Sequence, residues 1–148
     1  MRRKLTDLLR DTMGAVVIET AFVAPVLVLM GIGAFEAGMI ISRQVELQNA
    51  AAEASQIALA SPPADSDERD TLKAIVKTSA GLGDANVAIA EKYRCGTDTA
   101  YVDDTSGCTA EYSKYVQISL TDTYTPVWAK IAFGSPFNYS VVRTVQIG

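Results

Sequence analysis

Residues 15–41 read AVVIETAFVAPVLVLMGIGAFEAGMII, and this stretch decides how the rest of the chain is organised. It contains 27 residues and only two charges, Glu19 and Glu36. Residues 19–42 number 24, and about 20 apolar residues are enough for a helix that crosses a bilayer. The sequence therefore predicts a membrane-anchored chain rather than a compact soluble enzyme.

The composition excludes several functions before any motif is considered. The 148 residues include no histidine and two cysteines, and the net charge is −4. The lack of histidine excludes Ser-His and Cys-His catalysis and most zinc chemistry, and two cysteines alone cannot complete a tetrahedral metal site. The acidic balance leaves no basic surface for nucleic acid. We expect no metal, no cofactor, no nucleic-acid partner and, since no cluster combines nucleophile and base, no enzyme activity.

The first fourteen residues, MRRKLTDLLRDTMG, predict a short basic leader at 1–14. It contains two acidic residues, Asp7 and Asp11, and four basic ones: Arg2, Arg3, Lys4 and Arg10. Basic residues at the amino end of an apolar segment place that end in the cytoplasm. The residues after the membrane helix are then expected on the far side of the membrane.

Three interpretations of this region compete. A secretory signal peptide has an apolar core of about 7 to 15 residues followed by a small-residue cleavage site, whereas the run at 15–41 is longer and lacks such a site nearby. A plain uncleaved anchor fits the length and the basic flank. The third interpretation depends on Glu19.

Glu19 is a carboxylate inside the apolar run. Such a charge costs about 2.5–3.5 kcal/mol at the centre of a membrane helix and less near an end, so it usually has a partner. If a protease cuts after Gly14, Ala15 becomes a new amino terminus one helical turn from Glu19. The new ammonium group could pair with Glu19 of the same helix or of a neighbouring one, and apolar surroundings strengthen either pair.

The segment from residue 14 to about 45 resembles the TadE-like segment of tight-adherence (Tad, type IVb) pilus systems. The matching features are a glycine, a glutamate, a proline and a second glutamate followed by a small residue and glycine: Gly14, Glu19, Pro25 and Glu36-Ala37-Gly38. The resemblance implies a structural subunit, a pseudopilin or minor pilin, that a prepilin peptidase cleaves between Gly14 and Ala15.

The same resemblance implies a place and a set of partners. It puts the chain in a bacterial inner membrane as a single-pass protein, with the head in the periplasm or carried into an extracellular pilus. The implied partners are other pilins or pseudopilins, the peptidase, the inner-membrane pilus assembly machinery and membrane lipid. The alternative is an uncleaved, membrane-anchored binding or accessory module of an envelope complex.

Within the apolar run, Pro25 predicts a kink, although membrane helices also tolerate proline without a special role. Small residues four positions apart would let helices approach closely: Gly33 with Ala37, and Ala34 with Gly38. Glu36 lies among them and is expected either to reach the lipid headgroups or to make an interhelical polar contact.

The helix is predicted to continue beyond the membrane. Residues 42–60, SRQVELQNAAAEASQIALA, contain no glycine or proline, and alanine is the best helix former. We expect one helix over 15–60, ended by Ser61-Pro62-Pro63. A weak apolar stripe, with Gln48 and Ala51 between its members, is predicted to pack on another surface through small residues. The members of this stripe are spaced by seven: Val45, Ala52 and Leu59.

Residues 61–148 predict a small α+β head. Asp65 and Glu68 form a capping-box-like start for a second helix, which Gly81 or Gly83 ends. The predicted apolar face of that helix consists of Leu72, Ile75 and Val76.

The rest of the head predicts an antiparallel sheet of three or four strands with one or two short helices. Residues 115–121 alternate strictly and place Val116, Ile118 and Leu120 on one face. Further strands are expected at 87–93 and 139–147, and a short helix or apolar turn at 126–133. Arg143 interrupts the apolar face of the last strand, formed by Val141, Val145 and Ile147, and is expected to reach the sheet edge or pair with an acid.

Cys95 and Cys108 enclose twelve residues. In an oxidising compartment a disulfide is the default, and closing a loop of this size stabilises the head by about 3 kcal/mol in the chain-entropy model. The acids in the loop lack the spacing of a calcium-binding EF-hand: Asp98, Asp103 and Asp104. We expect a solvated acidic loop.

Overall fold

The computed structural model describes residues 12–109, 111–130 and 134–148, and its elements confirm the predicted α+β fold. They are, in chain order, α1 (Thr12–Ala60), α2 (Ser66–Ala80), a short 3-10 turn (Asp84–Asn86), β1 (Val87–Cys95), β2 (Tyr112–Tyr124), α3 (Val127–Lys130) and β3 (Phe137–Gln146). The chain divides into two compact units, Met1–Met39 and Ile40–Gly148. Most of the predicted leader, residues 1–11, lies outside the described residues.

The first unit contains the apolar part of α1. Side chains along residues 16–32 are exposed, and Pro25 lies inside the helix without ending it. In the part of the chain that the structure describes, α1 is the one helix whose length and apolar composition suit a membrane crossing. This property is compatible with a single-pass membrane anchor, because an apolar surface of this extent is stable in lipid.

In the second unit, residues 40–60 of α1 belong to the core of the head. Their buried face is made mostly of small side chains at helical spacing: Leu47, Ala50, Ala51, Ala54 and Ala58. The prediction that this part of the helix packs through small residues is confirmed, with Ala51 fully buried. The stripe with a spacing of seven is wrong at both ends, since Val45 is 48% exposed and Leu59 is 55% exposed. Alanines let the helix backbone approach its neighbours closely, so the packing face is the one with the smaller side chains.

The second helix, α2, begins and ends as its capping residues predict. The Asp65 carboxylate accepts a hydrogen bond from the Glu68 backbone N–H at 2.9 Å, and the Glu68 carboxylate accepts one from the Ala64 N–H at 2.7 Å. Gly81 ends the helix with φ of 62°, a conformation that favours glycine. Leu72 and Val76 are buried as predicted.

Ile75 does not follow the prediction for α2, because its side chain is 46% exposed. Ala80, one turn beyond Val76, is buried instead. The buried stripe of α2 therefore follows the spacing of four that joins Leu72, Val76 and Ala80.

The sheet has three antiparallel strands in the order β1-β2-β3. Its central strand, β2, buries Val116, Ile118 and Leu120 as the alternation predicts. The register pairs Val141 with Leu120 and Val145 with Val116, which puts these valines on the same face. The strands are longer than the predicted ranges, because backbone pairing continues beyond the residues whose alternation is visible in the sequence.

Arg143 pairs in register with Ile118 and is exposed on the outer strand β3. It makes no ion pair within the described residues. Of the predicted helix or turn at 126–133, Val127–Lys130 is helical, and residues 131–133 lie outside the described part of the chain.

Candidate assembly site on the N-terminal helix

Glu19 lies on the exposed surface of α1, in a shallow groove of about 370 Å³. The other side chains that line this groove are apolar or small: Val16, Thr20, Val23, Ala24 and Leu27. The Thr20 hydroxyl donates to the Val16 carbonyl at 2.8 Å, so its proton is already used within the helix. Among the described residues Glu19 has no hydrogen-bond or ion-pair partner. The groove therefore presents an unpaired carboxylate in apolar surroundings.

Gly14 and Ala15 are part of α1, which begins at Thr12. Ala15 and Glu19 are four positions apart, so they are neighbours on one face of the helix. Helical side chains also tilt toward the amino end, which directs a side chain at position 19 toward the preceding turn.

Within the described chain, the residues predicted for helix packing do not need to be small, because they are largely exposed. Ala34, Ala37 and Gly38 are exposed, and Gly33 is half-buried. A Cβ atom added at Gly33 or at Gly38 would meet no other atom within 4 Å. Glu36, which lies among these residues in α1, has a buried side chain that is 3% exposed.

Arg43 joins α1 to the head, and nothing in the local sequence predicts this role. Its Nε lies 2.6 Å from the Asp122 carboxylate of β2, and one guanidinium nitrogen donates to the Ala80 carbonyl of α2 at 3.1 Å. The same nitrogen lies 2.8 Å from the Glu46 carboxylate. Burial lowers the pKa of the Arg43 guanidinium, but hydrogen bonds to Glu46 and Asp122 outweigh burial and raise it. The side chain thus stays charged while it connects three elements.

A second contact lies on the same part of α1. The Tyr139 hydroxyl of β3 donates to the Ile40 carbonyl at 3.1 Å. Burial raises the pKa of the Tyr139 phenol, and the nearby Asp122 carboxylate raises it further. Because Tyr139 and Ile40 are 99 positions apart, no sequence pattern could reveal the contact. Together with Arg43 it attaches the beginning of the head's portion of α1 to the sheet.

Glu91 is the centre of a charge cluster in the head. Its carboxylate lies 2.8 Å from Arg69 of α2 and 3.0 Å from the Lys114 ammonium of β2, and it accepts a hydrogen bond from the Tyr93 hydroxyl. Burial alone would raise the pKa of this carboxyl, but the bonds from Tyr93 and Lys114 and the charges of Lys114 and Arg69 lower it. The cluster fastens α2 to the sheet, and all of its charges are engaged with one another.

Cys95 and Cys108 form the disulfide that the sequence predicts, with Cα atoms 5.2 Å apart. Of the loop acids, Asp103 pairs with Lys92, and Asp104 accepts a hydrogen bond from the Ser106 N–H at 2.9 Å. In the described parts of the chain, no group of three or more acidic or cysteine side chains is arranged to hold a metal ion.

A long apolar N-terminal helix, the one candidate membrane span among the described residues, followed along the chain by a small α+β head defines the architectural class of the protein. Residues 14–56 match the family model of the TadE-like proteins, which confirms the predicted resemblance and extends it from about residue 45 to 56. This match indicates a protein associated with a Tad pilus. No curated protein and no solved structure matches the chain.

Proposed function

We propose that this chain is a pseudopilin or minor pilin that acts in the assembly of a Tad-type pilus and has no enzymatic role. Residues 1–14 form a cytoplasmic leader, which a prepilin peptidase removes by cutting between Gly14 and Ala15. Residues 15–60 form one helix, whose apolar part crosses the inner membrane and mediates assembly and whose continuation, residues 40–60, packs into the core of the head. Residues 61–148 form the periplasmic head, which is carried into the pilus if the subunit is incorporated.

The observation that carries this proposal is the unpaired Glu19 carboxylate in its apolar groove. In lipid such a charge is unfavourable, and a cation at the right distance would offset part of the cost. Cleavage after Gly14 creates that cation at Ala15, one turn away. The groove lies within residues 14–56, the segment that matches the TadE-like family model. No contact among the described residues otherwise accounts for an exposed acid at this position.

The geometry allows two uses of the pair. Within one processed chain, the Ala15 ammonium neutralises Glu19 and lowers the cost of keeping the carboxylate in lipid. Between chains, the ammonium of an incoming subunit enters the groove of a neighbour, which is lined by Val16, Val23 and Leu27. Apolar surroundings strengthen the attraction between the two charges. If the pair within one chain is exchanged for the pair between chains, the subunit docks onto its neighbour and leaves the membrane in the same step.

The small residues near the other end of the apolar run support helix–helix contacts in the same assembly. Gly33 and Gly38 have space around them in the described chain, and small residues let two helices approach within van der Waals distance. The proposed partners are therefore other pilins or pseudopilins along α1, together with the peptidase, the inner-membrane assembly machinery and the surrounding lipid.

Mass spectrometry of the full chain, extracted from membranes of cells that contain or lack a prepilin peptidase, tests the proposal. We expect a chain that begins at Ala15 when the peptidase is present and at Met1 when it is absent. Gly14→Leu should leave Met1 in place in both strains, because the bulky side chain obstructs the cut, whereas Val17→Leu, downstream of the cut, should be processed. An intact Met1 on the unaltered chain beside an active peptidase would favour the uncleaved accessory module instead.

A further inference from the structure

One end of the sheet contacts the part of α1 where the apolar run of the sequence stops. That run ends at Ile41, and the Tyr139 hydroxyl of β3 donates to the carbonyl of Ile40, the residue before it. Arg43, two positions after Ile41, pairs with Asp122 of β2. Asp122 and Tyr139 are register partners close to the connection between the two strands. With α1 crossing a bilayer, this end of the sheet lies at the bilayer surface.

The connection between β2 and β3 is close enough to that surface to enter it. Beyond Asp122 and Tyr139 each strand continues toward the connection by two residues, to the pair Tyr124 and Phe137. Two residues of strand span about 7 Å, whereas the headgroup region on each side of a bilayer is about 5–7 Å thick. The first side chains of the connection are therefore within reach of the membrane interface.

The side chains at this end of the sheet have the chemistry of an interfacial anchor. Phe137 is 51% exposed and Val127 is 50% exposed, while Trp128 is half-buried and Lys130 is exposed. Trp and Tyr favour the interface between membrane and water because their rings are apolar but carry a polar group. Lysine can reach headgroup phosphates with its ammonium group. We call these residues, together with Tyr124, the hairpin tip.

Two polar groups of the hairpin tip have no partner in the described parts of the chain. The Trp128 indole N–H makes no hydrogen bond to a described residue, and the Lys130 ammonium makes no ion pair with one. On one side the indole ring lies against backbone, since a Cβ added at Gly134 would be 3.4 Å from its Cδ1 atom. A free donor and a free cation beside exposed apolar carbon match a lipid surface, which offers oxygens and phosphate next to hydrocarbon.

We propose that the hairpin tip docks into the lipid headgroup region where α1 leaves the membrane and gives the chain a second, interfacial membrane contact. The rings of Trp128 and Phe137 lie where headgroups meet acyl chains, and Lys130 binds headgroup phosphate. This contact holds the head against the lipid surface until the subunit leaves the membrane. The inference rests on the proposed membrane crossing of α1, but it needs neither cleavage nor pilus assembly.

The test uses Trp128 as its probe, because it is the one tryptophan in the sequence. The full chain is reconstituted in vesicles of phosphatidylcholine and phosphatidylglycerol, with bromine atoms placed either near the headgroup end of the acyl chains or near their terminal methyl groups. We expect the shallow bromines to reduce Trp128 fluorescence about twofold or more and the deep bromines to reduce it less, as for an interfacial ring. Flotation of the same vesicles separately reports whether α1 holds the chain in the membrane.

Val127→Asp and Leu59→Asp form a matched pair of variants. Each puts a carboxylate in place of an apolar side chain that is about half exposed, but Leu59 lies in the last turn of α1, away from Ile40. We expect Val127→Asp to lose most of the quenching by shallow bromines, because a carboxylate is unfavourable among anionic headgroups. Leu59→Asp should be quenched like the unaltered chain. Both variants should float with the vesicles and keep the near-ultraviolet circular dichroism of the folded head.

Three results would overturn the proposal while leaving the membrane anchor intact. The first is a chain that floats with the vesicles but whose Trp128 fluorescence is the same in all lipids, since the tip would then stay in water. The second is quenching that persists in Val127→Asp or falls equally in Leu59→Asp. The third is blue-shifted emission that bromines do not quench and that appears only with many chains per vesicle, because a second copy would then cover the tip. A chain that does not float would contradict both the anchor and this contact.

Discussion

The Arg43 guanidinium and the Asp122 carboxylate lie 2.6 Å apart, although the two residues are separated by 79 positions in the chain. The pair connects α1 with the central strand of the head, and the same guanidinium also reaches the Ala80 carbonyl of α2. The side chains of Arg43 and Asp122 are 22% and 24% exposed, so water screens the pair only in part. Residues 40–60 of α1 therefore belong to the head by specific polar contacts as well as by alanine packing.

Asp122→Asn should destabilise the head by about 1–3 kcal/mol, since Arg43 keeps its charge but loses its closest anionic partner. Urea unfolding of the full chain in micelles, followed by near-ultraviolet circular dichroism, measures the change. Asp98→Asn is the matched control, because Asp98 is exposed and its side chain makes no hydrogen bond or ion pair with the described residues. Equal stability of the two variants would show that the Arg43–Asp122 pair does not hold the helix.

Stability should fall in acid because of Glu91. Its pKa is lower in the folded head than the ordinary value of 4.5, so its contribution is fully present above the ordinary pKa and is lost as the pH falls through the folded value. Unfolding free energies measured from pH 7 to pH 2 should therefore decline more steeply for the unaltered chain than for Glu91→Gln. Glu53→Gln, an exposed change on α1, should retain the steep decline. A Glu91→Gln profile parallel to that of the unaltered chain would contradict the assignment.

Glu19→Gln should leave cleavage intact and lower the amount of subunit recovered in sheared surface filaments by about tenfold or more, because an amide cannot neutralise the Ala15 ammonium. The measurement is the ratio of filament-bound to membrane-bound protein, with the amino terminus checked by mass spectrometry. Thr20→Val, which removes a neighbouring polar group but no charge, serves as control. If Glu19→Gln assembles as well as Thr20→Val, the charge pair is not needed.

Gly38→Leu should weaken helix association in the membrane about tenfold, equivalent to about 1.4 kcal/mol, because a large side chain separates helices that small residues allow to meet. Folding of the head should be unaffected, since a Cβ at Gly38 meets nothing within 4 Å. Energy transfer between labelled chains in vesicles measures the association. Ala21→Leu makes a comparable enlargement on a different face of α1 and should associate normally; equal weakening by both would assign the effect to size alone.

The elements that the sequence predicts well are those with a strong local signal. The apolar run and the absence of glycine and proline at 42–60 predict α1. The Asp65–Glu68 pair predicts the start of α2, and the alternation around Ile118 predicts the central strand. Each of these signals arises within a few residues. These signals depend on backbone preference and on the regular spacing of buried side chains. In this chain, tertiary contacts do not override the secondary structure that they predict.

The contacts that orient α1 in the head were not predictable in the same way. The sequence predicts packing through small residues, and Ala51 is buried as expected. The spacing of seven, however, selects Val45 and Leu59, whereas the buried face continues through Ala54 and Ala58. Hydropathy gives alanine little weight, while close approach of a helix rewards its small volume. The Arg43–Asp122 contact joins distant residues, so only the three-dimensional arrangement reveals it.

Arg143 places a positive charge on β3, an outer strand of the sheet. It occupies a core-face position opposite Ile118, yet its guanidinium stays in water. A strand added along β3 would remove water from that cation, and charges at such positions are a known way to stop sheets from growing sideways. The β3 flank of the sheet is thus protected by charge, so copies of the chain packed side by side would not join their sheets along β3.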